Sequence, residues 1–546
     1  MSGAIDVNRP GRAAAQDKPA APAARLGSLT NIQALRALAA TAVALHHAAA
    51  VLDIFRGDGR LVKVLNVPLG AWGVAIFFAI SGYLMAHVVR TSDPRTFLLH
   101  RAARIYPIFW IICALAFPAL HWVGEGQPFD WVAVTLAPAG QRFVILNVEW
   151  TLVHETTFYV CLFLIGCLGL VRRLEWIAIG WLVVLLGGSL LGLPAAQKSV
   201  FPRMDTILLA DPNVAFALGL LLPAAIRRGL LPARLCLLAL PLSLAVVWSG
   251  IPYERWAIGL LAPLVVAALV QLPQLPETGW AGEALVKAGD WSYALYLVHM
   301  PLFIVLYRAV PESVPAIPLC GVALVLAALA TAALGPLDVA IYRRLRRAID
   351  RLRMSWRTLA AWALAIGYLA TGAYATAILI RDARDSDRAR AALARLGPGG
   401  LADAAALAAA IEAKGARAPA NFRGEIERTI RLENDHILAL GWAVDVDRPG
   451  DVPHLALSCD GDVVAVARPK RYRADVAARL SQPELRRHRI GFQASFEAKA
   501  CRPDALVLPV FVDAAGRLLP GLPFRVPPPS DRPKAPAPGA AQRLPQ

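Results

Sequence analysis

Charge is scarce in this sequence: only 17% of its 546 residues are Asp, Glu, Lys or Arg, while 57% are hydrophobic. A soluble chain of this size could not cover its surface with so few polar groups, so a bilayer must hold most of it. Acidic residues are the scarcer sign, 39 against 56 basic, which leaves a formal charge of +17. That excess does not point to nucleic acid, because the basic residues sit in short clusters between apolar runs. A cleavable signal peptide is also lacking. No apolar core precedes Leu29, and the Ala-, Pro- and Arg-rich residues 1–28 read as a disordered cytoplasmic tail. Cysteine is sparse, at seven residues, and Cys113, Cys161, Cys167, Cys236 and Cys320 fall inside apolar runs, where a small hydrophobe is the reading. Cys459 and Cys501 lie in the part expected to be exported. A disulfide between them stays open, because sequence does not give their separation in space. No spacing of His, Cys, Asp and Glu has the form of a metal site, so no metal is expected.

What is abundant is apolar sequence of membrane-spanning length. A hydrocarbon core of roughly 30 Å needs about 20 apolar residues per helix. Such runs recur at 32–52, 67–89, 105–123, 150–171, 176–193, 211–226, 231–249, 256–272, 291–309, 314–341 and 358–380. With a cytoplasmic N-terminus, the loops on that side carry 21 basic residues and the short loops opposite carry 8, the asymmetry that the positive-inside rule favours. An odd number of spans then places everything after Ile380 outside the cell membrane. Residues 384–415 are Ala-rich with charges at helical spacing, broken by Gly397, Gly399 and Gly400, and suggest a short helical hairpin or stalk within 384–424. From about Glu425 to Pro527 short alternating runs such as HILALGWAV, HLALSC and IGFQASF, with turn signals CDGD and DAAG, predict a small β-rich module. Residues 528–546 are Pro- and Ala-rich and read as a disordered tail. The expected fold is an all-α polytopic membrane bundle over 29–347, about ten core helices. A basic linker and one extra transmembrane helix follow over 348–383, then the stalk and a C-terminal extracytoplasmic β-sandwich-like domain.

Within the apolar runs a few polar residues stand out, since ionisable groups in a bilayer are costly. Arg36 and His47 are eleven residues apart, so at 100° per residue they share a helix face and are separated by roughly 16 Å along the axis. His46 points elsewhere. Arg36 could instead snorkel to the interface and His47 hydrogen-bond a neighbouring helix. Glu155, in EWTLVHETTFYV, is expected at a depth similar to that of His47, where a carboxylate would fix the imidazole tautomer and raise its basicity. It could equally pair with an arginine, and His154 and Glu149 compete for the same role. Arg101 and Arg104 are three apart and therefore adjacent on a helix face, suited to gripping phosphates, or simply to anchoring the helix end. Ser81 and Gly82 suggest close helix packing. Tyr293, Tyr296 and His299 either line an acyl path or pack the core.

The segments IQALRALAATAVALHH, FFAISGYL, HRAARIYP, WTLVHETTFY and WSYALYLVHMP, in that order, resemble acyltransferase family 3 of integral membrane proteins across 29 to about 347. Within it the order is most similar to exopolysaccharide acetyltransferases. The resemblance implies that Arg36 and His47 are the functional pair, that Arg101 and Arg104 bind acyl-coenzyme A, and that Glu155 is the acidic residue of the WTLxxE segment. Leu337, Asp338 and Val339 replace the glutamate and proline that often end the tenth helix, and no role is assigned there. The Gly-Asp-Ser motif of the hydrolase domain carried by some relatives is absent. The β-rich segment resembles instead small sandwich modules of glycan-modifying enzymes, which bind or position, or merely space.

The implied activity is O-acylation in a bacterial inner membrane. Acyl-coenzyme A, acetyl by default, would dock from the cytoplasm as a donor substrate, with no permanently bound cofactor. His47, oriented by Glu155, would deprotonate a hydroxyl of an extracytoplasmic polysaccharide or glycolipid; an acyl-histidine intermediate is the other route. Tyr296 and His299 would line the substrate path. A transporter or flippase would also use intramembrane charge, but no paired discontinuous helices or internal repeat are visible.

Overall fold

The computed structural model describes residues 29–526 apart from 66, 128, 141, 143, 193–201, 250–253, 432–435, 452, 470 and 503–504. Both tails read as disordered lie outside the described residues. The chain divides into two compact units, Met1–Thr376 and Ala377–Gln546.

The first unit is helical. Its main helices are α1 (Thr30–Arg56), α2 (Val67–Thr91), α3 (Pro94–Trp122), α4 (Glu149–Cys167), α5 (Leu174–Leu190), α6 (Asn213–Arg227), α7 (Ala239–Ser249), α8 (Glu254–Gln271), α9 (Gly279–Ala309), α10 (Ala316–Arg351) and α11 (Met354–Ala394). Each falls on one of the apolar runs. Seven of them, α1 to α4 and α9 to α11, are long and apolar enough to cross a membrane. The runs under α5 to α8 give shorter helices, because hydropathy counts apolar residues whether or not the backbone stays helical. Helix α5 ends in a turn at Leu191 and Gly192, the latter at φ +65°, and Pro212 caps the start of α6.

Local chemistry explains how α3 begins. The Asp93 side chain accepts the Thr96 N–H at 3.0 Å and Pro94 stands in the first turn, where its missing N–H costs nothing. Helices α1 and α9 run parallel: Gln33 Nε2 donates to Asp290 Oδ1 at 2.9 Å near one end, and Arg56 donates to the Val310 and Pro311 carbonyls at 3.1 Å near the other. Helices α2 and α6 cross with their backbones touching. A Cβ on Gly82 would lie 2.3 Å from the Phe216 carbonyl oxygen, and one on Gly219 2.6 Å from that of Ala79. The expected packing role of the Ser81–Gly82 pair is therefore a backbone contact. Around this crossing Phe158 stacks on Phe216 at 4.0 Å between ring centres, and both are buried.

The second unit is a two-sheet sandwich. Strands β1 (Phe422–Arg431), β2 (His436–Asp445), β5 (Arg471–Tyr472) and β6 (Arg489–Glu497) form one antiparallel sheet in the order β1-β2-β6-β5. Strands β3 (His454–Cys459), β4 (Asp462–Ala467), β7 (Leu506–Val512) and β8 (Leu518–Pro520) form the other in the order β4-β3-β7-β8, with β9 (Phe524–Arg525) on β7. Side chains alternate as the sequence runs foretell: Ile437, Ala439 and Phe492 face Leu455, Leu457 and Phe511 across a common core. The helical segment read as a stalk packs rather than stands free. Ala389, Leu393, Leu407 and Ile411 close over Ala456, Leu508 and Val510 on the opposite face of the second sheet. Cys459 and Cys501 form a disulfide, with Cα atoms 5.8 Å apart.

Candidate active site

A cavity of about 510 Å³ lies among α1, α2, α3, α4, α9 and α10. One end is lined by Arg36, Arg101, Arg104, Arg343 and Arg346, and the other reaches Thr151 and Tyr296. The sequence-selected Arg36, Arg101, Arg104, Glu155 and Tyr296 thus line a single space.

The arginines differ in how they are held. Arg104 donates to Asp338 Oδ2 at 2.6 Å, and its guanidinium lies over the rings of Tyr293 and Tyr342, 5.3 and 5.7 Å from their centroids. Arg36 donates to Gln33 Oε1 at 3.2 Å. Arg101 lies 5.9 Å from the Tyr159 ring, and its buried Nε has no hydrogen-bond partner among the described residues. Among those residues neither Arg36 nor Arg101 has a carboxylate at ion-pair distance, and Glu155 of the same cavity acts on both only through space. Asp338, for which sequence assigned nothing, is 2% exposed and fixes Arg104. A lone acid in an apolar helix was the signal that could have found it.

His47 is held by His299: Nδ1 of His47 and Nε2 of His299 are 2.9 Å apart. His299 Nδ1 is 3.0 Å from the Leu295 carbonyl oxygen, which only accepts. In the neutral pair, therefore, His299 Nδ1–H donates to Leu295, His299 Nε2 accepts from His47 Nδ1–H, and His47 Nε2 keeps its lone pair. His299 thus sets the tautomer of His47, one of the two effects expected of Glu155, without supplying the negative charge that would raise its basicity. Among the described contacts none joins Glu155 to His47. Glu155 accepts from the Tyr159 hydroxyl and sits in the field of Arg101, Arg36 and Arg104. Register is the reason. The Thr151 and Tyr296 hydroxyls meet at 2.6 Å; Glu155 lies one turn beyond Thr151 on one side, and His299 one turn beyond Tyr296 on the other. The two layers are thus roughly 10 Å apart along the axis.

The competing residues have other partners. Glu149, 3% exposed, accepts the backbone N–H groups of Ile145, Leu146 and Val148 at 2.8, 2.6 and 2.9 Å and so closes the loop before α4. His154 Nδ1 lies 2.8 Å from Asn213 Oδ1 in the core. Tyr293 donates to the Ile105 carbonyl at 3.0 Å beside Arg104. No cluster of three or more His, Cys, Asp or Glu able to hold a metal occurs among the described residues.

The fold is a helical bundle with seven helices long and apolar enough to cross a membrane, around an arginine-lined cavity that ends at Tyr296, 5.9 Å from the His299 ring. The chain belongs to acyltransferase family 3: the family's acyltransferase domain matches residues 29–334, and the protein is an acyltransferase. It is 27% identical to nodulation protein 10 of Rhizobium leguminosarum bv. viciae over 318 residues, 50% of this chain and 83% of that one. The exopolysaccharide production protein ExoZ of Rhizobium meliloti (strain 1021) is 27% identical over 257 residues, 43% of this chain and 77% of the relative. The acyltransferase MdmB of Streptomyces mycarofaciens is 27% identical over 309 residues, 50% and 78%. No solved structure gives a significant match. The matched region excludes the sandwich.

Proposed function

We propose that the protein moves an acyl group, acetyl by default, from cytoplasmic acyl-coenzyme A to a hydroxyl of an extracytoplasmic polysaccharide or glycolipid in a bacterial inner membrane. The observation that carries this reading is the cationic cavity leading from Arg36 and Arg101 to Tyr296, whose ring lies 5.9 Å from that of His299. Guanidiniums without carboxylate partners suit the phosphates of a nucleotide donor. The positive-inside rule puts their end of the bundle in the cytoplasm, and the name of the exopolysaccharide relative supports the acceptor class.

In this mechanism Arg101 and Arg36 take the donor phosphates, and the pantetheine arm runs along the cavity until its thioester reaches His47. The acceptor hydroxyl gives its proton to His47 Nε2 while its oxygen bonds the thioester carbon. The C–S bond then breaks and the proton passes to the departing thiolate. His299 positions the base, and Tyr159 and Glu155 offset the crowded arginines. The sandwich stands outside the membrane as a positioning module, in keeping with its disulfide, since such bonds persist in oxidising compartments.

The test is the acyl content of surface polysaccharide from cells with the intact gene, a deletion and His47→Ala, at matched membrane levels of protein. Loss of acylation in both altered strains, restored by the intact gene, is expected. Acylation that persists with His47→Ala would remove the histidine from the mechanism.

A further inference from the structure

A second cavity, of about 210 Å³, lies where α1 and α3 end and α4 is about to begin. Its wall holds sequence neighbours of the imidazole pair, although neither His47 nor His299 lines it. Val51, in its wall, stands one helical turn after His47, and Met300 directly follows His299. The cationic cavity ends on the other side at Tyr296, whose ring lies 5.9 Å from that of His299.

The wall of this cavity has a mixed chemistry. Phe55, Phe117 and His121 present rings, with Phe117 and His121 only 4.3 Å apart at their centroids. Gln127 and Asn147 supply amides. The one carboxylate in the lining, Glu125, is occupied by Arg308 at 2.5 Å, and that guanidinium lies 4.5 Å from the centroid of the Phe55 ring. The cavity therefore offers ring faces for C–H groups and amides for hydroxyls, with its ionic charge already neutralised. Its volume is below the roughly 300–1,000 Å³ of a drug-sized site, which suits a ligand of about one sugar ring.

Asn147 is built into place. Its φ of +61° lies in the left-handed region, which Asn tolerates better than most residues. The flanking N–H groups of Leu146 and Val148 are both captured by buried Glu149. A buried carboxylate spent on three backbone donors is a strong clamp, and what it clamps is the loop that brings Asn147 to the cavity.

We propose that this second cavity is the acceptor subsite and takes a single neutral pyranose ring, with Asn147 and Gln127 binding its hydroxyls and Glu149 acting as the positioning residue for Asn147. The assignment rests on the acyl-transfer reading above and deepens it by naming the acceptor's size and charge. Asn147→Gly is the clean variant, since it removes the amide while keeping a residue at ease with positive φ.

The experiment uses the full-length protein in lipid nanodiscs, with methyl glucoside, methyl galactoside and methyl glucuronide as probes. Binding is read by saturation-transfer NMR, and acetyl-coenzyme A turnover by thiol release. The neutral glycosides are expected to bind, and the glucuronide to bind at least tenfold more weakly. Asn147→Gly should weaken glycoside binding about tenfold, the worth of a lost hydrogen bond, without changing the affinity for coenzyme A. Glu149→Gln should raise the glycoside KM and leave the coenzyme A affinity intact. Unchanged glycoside binding in both Asn147→Gly and Gln127→Ala overturns the subsite, as does displacement of a bound fatty acid with no glycoside signal. Glycoside binding that obeys the variants, with no thiol released by any glycoside, supports the sugar site and overturns acyl transfer, so the two failures are distinguishable.

Discussion

Two cavities of the helical unit, one ending at Tyr296 beside His299 and one walled by Val51 and Met300, handle charge in opposite ways. In the larger, Arg36 and Arg101 have no carboxylate partner among the described residues. In the smaller, Glu125 is already matched by Arg308. Cations inside a bilayer are costly, and these two are offset only at a distance, as by Glu155, whereas Glu125 and Arg308 are in direct contact. Under the proposed function the contrast suits an anionic donor on one side and a neutral acceptor on the other. The sandwich follows the second pattern: Arg473 holds Glu427 at 2.7 Å and Asp475 at 2.5 Å, and Arg479 adds a third contact to Glu427 at 2.9 Å.

Removing the imidazole pair should have the largest effect. His47→Ala is expected to lower thiol release roughly a thousandfold, and His299→Ala roughly a hundredfold, with donor KM unchanged in both; equal activity of His299→Ala and the parent would sink the tautomer relay. Next comes the buried pair behind the cationic wall. Asp338→Ala leaves Arg104 unpaired and should destabilise the protein by about 3 kcal/mol, read as a lowered melting temperature in nanodiscs, while Asp338→Glu retains most of it. Arg101→Ala should raise the donor KM roughly tenfold and flatten its salt dependence, Arg101→Lys less so, and neither should move glycoside affinity. An Arg101 effect on the glycoside alone would break the contrast between the cavities.

The smallest effect is expected in the sandwich and depends on pH. The Arg473 guanidinium holds the Asp475 carboxyl down to about 2. Burial alone would raise Glu427, but its bonds to Arg473 and Arg479 reverse that and keep it below its ordinary value. Carboxyls depressed by folding stabilise fully above their unfolded values, about 4, and that contribution fades as pH falls toward 2. Hydrogen exchange of β1 and β6 in the intact protein should therefore accelerate over this window, and Arg473→Ala should remove the acceleration. The groups are partly exposed, so a modest change is expected.

The apolar runs marked every main helix of the first unit, because a period of apolar residues is a local property. The runs clearly overstated one length, that of α7, whose helix Ala239–Ser249 fills only the later part of the run 231–249, since helix ends depend on turns and prolines that hydropathy does not weigh. The Arg36–His47 spacing follows from helix geometry alone. What each residue touches does not: the partner of His47 comes from α9, some 250 positions away, and pairing Glu155 with it required a register between helices that no single helix contains. Tyr159, four residues after Glu155, was within reach of helical spacing; Asp338 as the mate of Arg104 was not. The alternation of the sandwich strands was legible, whereas the packing of the Ala-rich helices onto them was not, because alanine faces give a weak apolar pattern.

The touching backbones at Gly82 and Gly219 also constrain motion. With no side chain between them to act as a bearing, α2 and α6 can neither slide nor tilt past each other without a backbone collision. Phe77, Phe78 and Ser81, on the face of α2 that borders the larger cavity, therefore belong to a fixed jaw. The opposite side is seated in the same way, since a Cβ on Gly289 of α9 would lie 2.6 Å from the Gln33 carbonyl oxygen of α1.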